Sequence, residues 1–564
     1  MSLIIICIAA FVPGLFSIPP IDRDESRFAQ ASRQMFESAA LPAQSRDPKL
    51  HAGGLAVPFV GDRPRLNKPP LVYWLQAASA AAFSAGDPMR DAVWMYRIPG
   101  VLCAIGSVLA TWAFAKQLTG RLAAWLAAAA LALSPVVVLD AHQARADQLL
   151  VFTVIVTQWM LYRIARGDVS VATCLGFWAA LAVGVLSKGP ITPMIAGLTA
   201  AGFSFLRGNY RWLWNLRPVA GFLTVVLLVA PWVYLVGRHV GWSLYLNTIW
   251  DETIGRSIDG KEGHWGPPGY HLLLVFFLLW PVGLALPATL RIIWKRARSG
   301  GGGWLRRFRS GLAHRPVDAF LIAWVVPSWV IFECISTKLP HYTLPLYPAI
   351  AIAAGRVLAA ASRRRPAPVA GFEKHLTRVW FGIGITVLTG IAALCLSLRW
   401  WGDFGWFRGP GSLRTPFEAV PLILLAVFLM IRGGRELEQS NWMAALGFCW
   451  AALIAGYAVL LAFVAPQALS LSSRIAANLP AGSGGVVLSG YQEDSLVFLL
   501  RGKVRRIDPS AQSSANILPD ATLVTTGMVP PEWTTGRKTT EFRGLNIAKG
   551  KCQTVFVLSP SQTP

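Results

Sequence analysis

At 564 residues, with 54% hydrophobic and only 14% charged side chains, the chain has a mean hydropathy of +0.48. That excludes an ordinary soluble protein. Its formal charge of +24 does not indicate nucleic acid, because lysines and arginines sit in short loops between apolar runs and form no continuous basic face. The excess reads first as a topology signal and second as affinity for phosphate-bearing lipids.

The first apolar run, Leu3 to Ile18, resembles the core of a signal peptide. It lacks a basic leader and a small-x-small site before Pro19-Pro20, so it reads as a retained first span. Asp22-Arg23-Asp24-Glu25-Ser26-Arg27 follows at once. Three carboxylates and two guanidiniums cannot sit in hydrocarbon, so this stretch lies at the membrane surface. Leu71–Phe83, after Pro69-Pro70, is too short for a span and reads as an interfacial helix. Further apolar runs lie near Val93–Lys116, Leu122–Leu139, Leu149–Ile164, Val169–Leu186, Ile191–Leu206, Val219–Val236 and Tyr270–Ile293. They continue at Val317–Ile335, Tyr342–Leu358, Val379–Leu398, Phe417–Ile431 and Trp442–Phe463. Together these predict a mainly α integral membrane protein with about 13 transmembrane helices.

Alternate loops divide by charge. One set carries basic clusters in short loops, among them Arg163, Arg207, Arg296, Arg307, Arg364 and Arg435, and faces the cytoplasm by the positive-inside rule. The other set, 20–92, 140–148, 187–190, 238–268, 336–341 and 399–416, then lies outside with everything after about 465. The N-terminus is inside and the C-terminus outside. The expected domains are a membrane catalytic domain over 1–464 and a small outer α/β domain over 465–564. In the latter, Ser470–Leu479 predicts a short helix, and Val486–Ser489, Leu496–Leu500, Val504–Ile507, Thr522–Thr525 and Thr554–Leu558 predict strands.

Every unusual polar motif falls in the outer set. Lys68 precedes Pro69-Pro70, which fix an extended backbone and can hold an ammonium at a set position. Arg145 and Asp147 begin one span, Lys188 lies between two apolar helices, His264 precedes Gly266-Pro267-Pro268, and Lys338-Leu339-Pro340-His341-Tyr342 heads another span. Carboxylates among cations at one membrane face suit a base opposite an acceptor, with cations holding a phosphate leaving group. No cysteine pair has metal-ligand or disulfide spacing.

These residues carry a resemblance. Asp24-Glu25-x-Arg27-Phe28-Ala29, Lys68-Pro69-Pro70-Leu71-x-Tyr73-Trp74, Arg145-x-Asp147 and Ser187-Lys188-Gly189-Pro190 resemble the aminoarabinose transferases of lipid A. So do His264-x-Gly266-Pro267-Pro268, Lys338-Leu339-Pro340-x-Tyr342-x-Leu344-Pro345 and, in the tail, Gly490-Tyr491-x-Glu493-x-Ser495. The wider group is the GT-C superfamily of polyprenyl-phosphate-dependent glycosyltransferases, which includes protein O-mannosyltransferases. The resemblance implies an inverting transfer from an undecaprenyl-type phosphate donor to a lipid or protein acceptor at the outer face of a bacterial inner membrane. It implies Asp24 and Asp147 as catalytic carboxylates, and Glu25, Arg27, Lys68, Lys188 and Tyr342 as substrate-binding residues. It implies no required cofactor, although His264 and Glu493 match a pair able to hold a divalent metal such as zinc. Where the aminoarabinose transferases have Glu-Lys-Pro-Pro, this chain has Asn67, so the negative partner for an amino sugar is missing at that position. The rival expectation is a transporter or flippase of lipid-linked saccharides, which would place its charges near mid-bilayer on repeated, broken helices; here they cluster at one face.

Overall fold

The computed structural model describes residues 1–255, 266–298, 303–363, 375, 378–390, 415–480, 485–507, 520–527, 529 and 531–560. The chain opens with α1 (Ser2–Phe11), α2 (Asp24–Ala40) and α3 (Leu71–Phe83), with the two-residue strands β1 (Phe59–Val60) and β2 (Arg63–Pro64) between the last two. There follow α4 (Val93–Thr119), α5 (Arg121–Ala132), α6 (Pro135–Ala141), α7 (Asp147–Ala165), α8 (Val171–Lys188), α9 (Ile191–Arg207), α10 (Pro218–Val240) and α11 (Trp242–Trp250). Later helices are Tyr270–Leu278, Ala285–Ala297, Trp304–Ala313, Pro316–Cys334, Tyr347–Arg363, Arg378–Gly390, Thr415–Glu438 and Trp442–Val459.

Seven of the described helices are long and apolar enough to cross a membrane, or eight if α5 and α6, bent by 55° at their junction, form one span. Among the described residues the expected thirteen are not reached: the helix Thr415–Glu438, over the run Phe417–Ile431, is not one of the seven, and four other runs fall short for definite reasons. The run Tyr270–Ile293 breaks into two helices around Pro281, α1 and α9 are shorter than a full span, and part of Val379–Leu398 lies outside the described residues. Hydropathy alone counts apolar length and misses such breaks.

The bundle core is tight because it is built from small side chains. On α5, Leu126 to Ala132 have at most 3% exposure, and the helix Tyr347–Arg363 approaches closely enough that a Cβ on Gly355 would meet the Ala123 carbonyl oxygen at 2.6 Å. By contrast α10 exposes Val219, Phe222, Leu223 and Leu227. A helix apolar all round and uncovered by protein presents that surface to hydrocarbon.

The acidic stretch after α1 does not lie as a solvated cluster. Arg23 takes a positive φ of 64°, a conformation costing an L-residue about 1–3 kcal/mol, and turns the chain into α2. That helix is buried along most of its length, between α3 on one side and the tail on the other.

The tail forms a five-stranded sheet in the order β4-β3-β5-β7-β6. The strands β3 (Val486–Ser489), β4 (Val504–Ile507) and β5 (Thr522–Thr526) are parallel, while β6 (Arg537–Asn546) and β7 (Lys551–Pro560) join antiparallel. A helix, Leu471–Ala477, packs on it. The run Leu496–Leu500, expected as a strand, is instead the end of a helix, Asp494–Leu499. A short apolar run does not reveal its own period, and here Leu496, Val497 and Phe498 are all buried, between sheet and α2. This helix fastens the tail to α2. Arg27 Nε lies 2.6 Å from Asp494, Asp22 accepts from the Ser495 N–H at 2.8 Å, and Arg501 reaches Glu37 at 2.6 Å and Asp91 at 2.9 Å.

Candidate active site

Five loops from the expected outer set meet at one end of the bundle. Both leading carboxylates begin helices, Asp24 at the start of α2 and Asp147 at the start of α7, where the backbone N–H groups and the helix dipole favour negative charge. Arg145 lies between them, 3.3 Å from Asp147 and 4.0 Å from Asp24. Lys188, at the last turn of α8, donates to Asp147 at 2.5 Å. His341 Nε2 accepts from Arg145 at 2.6 Å and lies 3.8 Å from Asp147. Asp140 completes the cluster 3.7 Å from Arg145 and accepts from Gln148.

The two carboxylates are held differently. Asp147 has 6% of its side chain exposed and a cation in direct contact. Asp24 keeps 48% exposed, and its nearest cations, Arg65 at 3.6 Å and Arg145 at 4.0 Å, are beyond hydrogen-bond distance. Burial of its surroundings disfavours its charge, but Arg145, Arg65 and Lys68 outweigh that and hold its pKa down to about 2, against a smaller opposing push from Asp147. Asp24 is therefore ionised, with open lone pairs. His341 is neutral, because burial and then Arg145 push its pKa down to about 3 despite Asp147. That leaves Nε2 free of a proton to accept from the guanidinium. Burial opposes ionisation of Arg145 too, yet Asp147, Asp140 and Asp24 raise its pKa overall.

Lys68 lies 3.5 Å from Glu252, whose other oxygen is 3.4 Å from Asn67 Nδ2. A carboxylate distant in sequence thus stands beside the position where Asn67 replaces glutamate. Tyr342 presents its ring to the Lys188 ammonium at 6.0 Å from the centroid. Arg65 also donates to Tyr73 at 3.1 Å and stacks over Phe28.

Three expected site residues lie elsewhere or take other partners. Glu25, expected to bind substrate, is fully buried and accepts four hydrogen bonds: two from Arg97 (2.7 and 3.0 Å), one from Ala144 N–H (2.9 Å) and one from Ile21 N–H (2.8 Å). No acceptor capacity points to a cavity, and the residue locks α2 to α4 and to the loop bearing Arg145. Arg27 turns to Asp494 and the tail. Glu493 accepts from Asn546 at 2.7 Å, His264 lies outside the described residues, and no group of three or more metal-ligating side chains occurs among the described residues. Arg65, Asp140, Glu252 and His341 were not among the expected site residues. Arg65, Asp140 and His341 carry a signal in the sequence, since they share outer-loop motifs with Lys68, Asp147 and Tyr342; Glu252 carries none.

A family model described as dolichyl-phosphate-mannose-protein mannosyltransferase matches residues 67–235. Over its whole length the chain superposes on ArnT from Cupriavidus metallidurans bound to undecaprenyl phosphate, with a TM-score of 0.67 and 18% identity, covering 98% of that chain. The chain has the GT-C fold. A second structure with this fold, the archaeal oligosaccharyltransferase AglB from Archaeoglobus fulgidus, gives a TM-score of 0.52 at 11% identity, over 100% of this chain and 74% of that one. In sequence, the chain is 28% identical over 360 residues to an undecaprenyl phosphate-alpha-4-amino-4-deoxy-L-arabinose arabinosyl transferase of Pseudomonas fluorescens, covering 61% of this chain and 58% of that protein. It is 26% identical over 406 residues to the enzyme of that name from Edwardsiella ictaluri, covering 68% and 62%. The matches thus span about three fifths of those relatives' length. The family resemblance read from the motifs is borne out by these similarities.

Proposed function

We propose that this protein is an inverting glycosyltransferase of a bacterial inner membrane. It moves a sugar from a polyprenyl, undecaprenyl-type phosphate to a lipid or protein acceptor at the outer face. The observation that carries the reading is the contrast between two carboxylates in one cationic cluster: Asp24 open and loosely held, Asp147 buried and in direct contact with Lys188. In the reaction the bond from the sugar's anomeric carbon to the phosphate oxygen breaks, and the acceptor oxygen bonds that carbon from the opposite face. The acceptor's proton passes to Asp24, and the bonding electrons leave with the polyprenyl phosphate.

Asp24 orients the incoming hydroxyl and takes its proton late. A carboxylate near pKa 2 is a weak base, so positioning outweighs proton affinity before substrate arrives. An arriving phosphate shares Arg145 and Lys68 with Asp24. It thereby weakens the field that holds the carboxylate ionised and raises its basicity where that is useful. Lys68, with Tyr342 beside Lys188, meets the charge that develops on the leaving phosphate. Asp147 is then the orienting anion that fixes Lys188, Arg145 and His341. No nucleotide or redox cofactor is needed, and a divalent ion at His264 and Glu493 would act as a clamp on the tail.

The topology in this reading has the N-terminus in the cytoplasm, about 13 crossings completed by the short helices, a catalytic domain over 1–464 and an outer domain over 465–564. The deciding experiment is transfer from a synthetic polyprenyl-phosphate sugar by purified protein in vesicles, followed by mass spectrometry of acceptor lipids. Net movement of intact donor between leaflets without any glycosylated product would replace this reading with that of a flippase.

A further inference from the structure

Arg145 stands between the two leading carboxylates, yet charge alone does not aim it. Asp147 at 3.3 Å, Asp140 at 3.7 Å and Asp24 at 4.0 Å all attract the guanidinium, and Coulomb attraction depends on distance with no preferred direction. Arg145 Nε is buried and makes no hydrogen bond among the described residues, and Gln143 accepts from Nη1 only at 3.4 Å. The short bond is to His341, where Nη2 donates to Nε2 at 2.6 Å. A guanidinium is a rigid planar fork, so holding one terminal nitrogen constrains the plane of the rest.

The imidazole is itself held. The turn that carries it joins the helices Pro316–Cys334 and Tyr347–Arg363. Buried Lys338 ties that turn down by donating to the carbonyls of Glu333 and Ile335 at 2.8 and 2.6 Å. His271 donates to the Leu339 carbonyl at 3.1 Å, and the Tyr342 ring meets the imidazole edge-on with 5.3 Å between centres. A fixed acceptor thus reaches the start of α7 from a loop 196 residues further along the chain.

The kind of acceptor matters. Arginine offers only N–H donors, so the imidazole receives at Nε2 with a lone pair and is uncharged. A carboxylate in its place would also orient the guanidinium. It would, however, add a fourth anion to three and offset the positive charge that a phosphate needs. We propose that His341 is a positioning residue, an uncharged acceptor that aims the Arg145 guanidinium at the donor phosphate and leaves its charge available. This rests on the transfer reading above, in which an arriving phosphate draws on Arg145.

The test is binding of sugar-free undecaprenyl phosphate to the full chain in detergent, followed by native mass spectrometry at pH 8, with sugar transfer measured alongside. His341→Leu fills the space and accepts nothing, so it should weaken binding about tenfold, the worth of one hydrogen bond to a charged group. His341→Gln, whose amide oxygen accepts without charge, should keep binding within about threefold of the parent. His341→Glu also accepts, yet should bind about tenfold more weakly than His341→Gln, since its carboxyl is ionised at this pH. A purely structural role would show in thermal stability and give these two variants, once folded, equal affinity. In an Arg145→Gln background, His341→Leu should cause no further loss of binding. Equal binding by His341→Gln and His341→Glu, or a full further loss in the Arg145→Gln background, would overturn the proposal. So would a parent that does not bind the lipid. The Gln and Glu comparison decides the matter even where His341→Leu fails to fold. A parent that binds the lipid with these differences and transfers no sugar would instead overturn the transferase reading alone.

Discussion

Lys188 donates to Asp147 at 2.5 Å across the gap between α8 and α7, with both side chains largely shielded from water. Cutting one member strips the other, poorly solvated charge of its nearest counter-ion, at a cost of up to about 3–5 kcal/mol, which Arg145, 3.3 Å from Asp147, partly offsets in Lys188→Ala. Lys188→Ala and Asp147→Asn are therefore expected to lower thermal stability as well as turnover. The double substitution should recover much of the stability and none of the turnover. A double-mutant cycle on Tm and on kcat checks both statements, and additive stability losses would show that the pair is not coupled.

Asp24→Asn keeps the shape of the side chain and removes its charge. Since Asp24 makes no short hydrogen bond to its cations, folding should be little changed. Turnover is expected to fall about 10²–10⁴-fold, the usual contribution of a positioned acid–base group. Single-turnover transfer and donor binding, measured on one preparation, would separate the two roles. Parent-like turnover would transfer the role to Asp147.

The same carboxylate fixes a pH expectation. Its pKa is depressed to about 2 from an ordinary 3.8, so its stabilising contribution is complete above 3.8 and is lost only as pH falls through 2. For donor-free enzyme, no acid limb from Asp24 is expected in kcat/KM between pH 8 and 5. A limb in that window that disappears in Asp24→Asn would contradict the assignment.

Asp22 behaves in the opposite sense. Burial, opposed by its bonds to Ser495 and reinforced by Glu493 and Asp494, raises its pKa from 3.8 to about 6. A raised carboxylate favours the folded state below 3.8, and that advantage is lost as pH rises through 6. The loss is roughly 3 kcal/mol for about two units. Asp22→Asn can still accept from the Ser495 N–H, so it should be more stable than the parent at pH 7.5 and equal to it at pH 3. Thermal unfolding at the two pH values is the measurement, and equal Tm at pH 7.5 would refute it.

Glu25→Gln removes the charge from a fully buried pair with Arg97. A loss of about 3–5 kcal/mol in stability is expected, while the fraction that folds should bind donor normally. Weakened donor binding in well-folded Glu25→Gln would restore Glu25 to the substrate site.

The sequence by itself determined which residues could not enter hydrocarbon. Apolar length and charge assign Asp24, Lys68, Asp147, Lys188 and Tyr342 to loops expected on one membrane face, and their motifs carry the resemblance to the aminoarabinose transferases. Strand β6 carries no such signal, because half of its residues are exposed at a sheet edge and show no apolar alternation. Only the tertiary structure separated neighbours. Asp24 and Glu25 are adjacent carboxylates at one helix start, identical in charge. Yet the helix turn of about 100° per residue sends one into the open cluster and the other against Arg97. Arg65, Glu252 and His341 join the site from three different loops, and the partner of a charge is fixed by packing between helices, which no local pattern encodes.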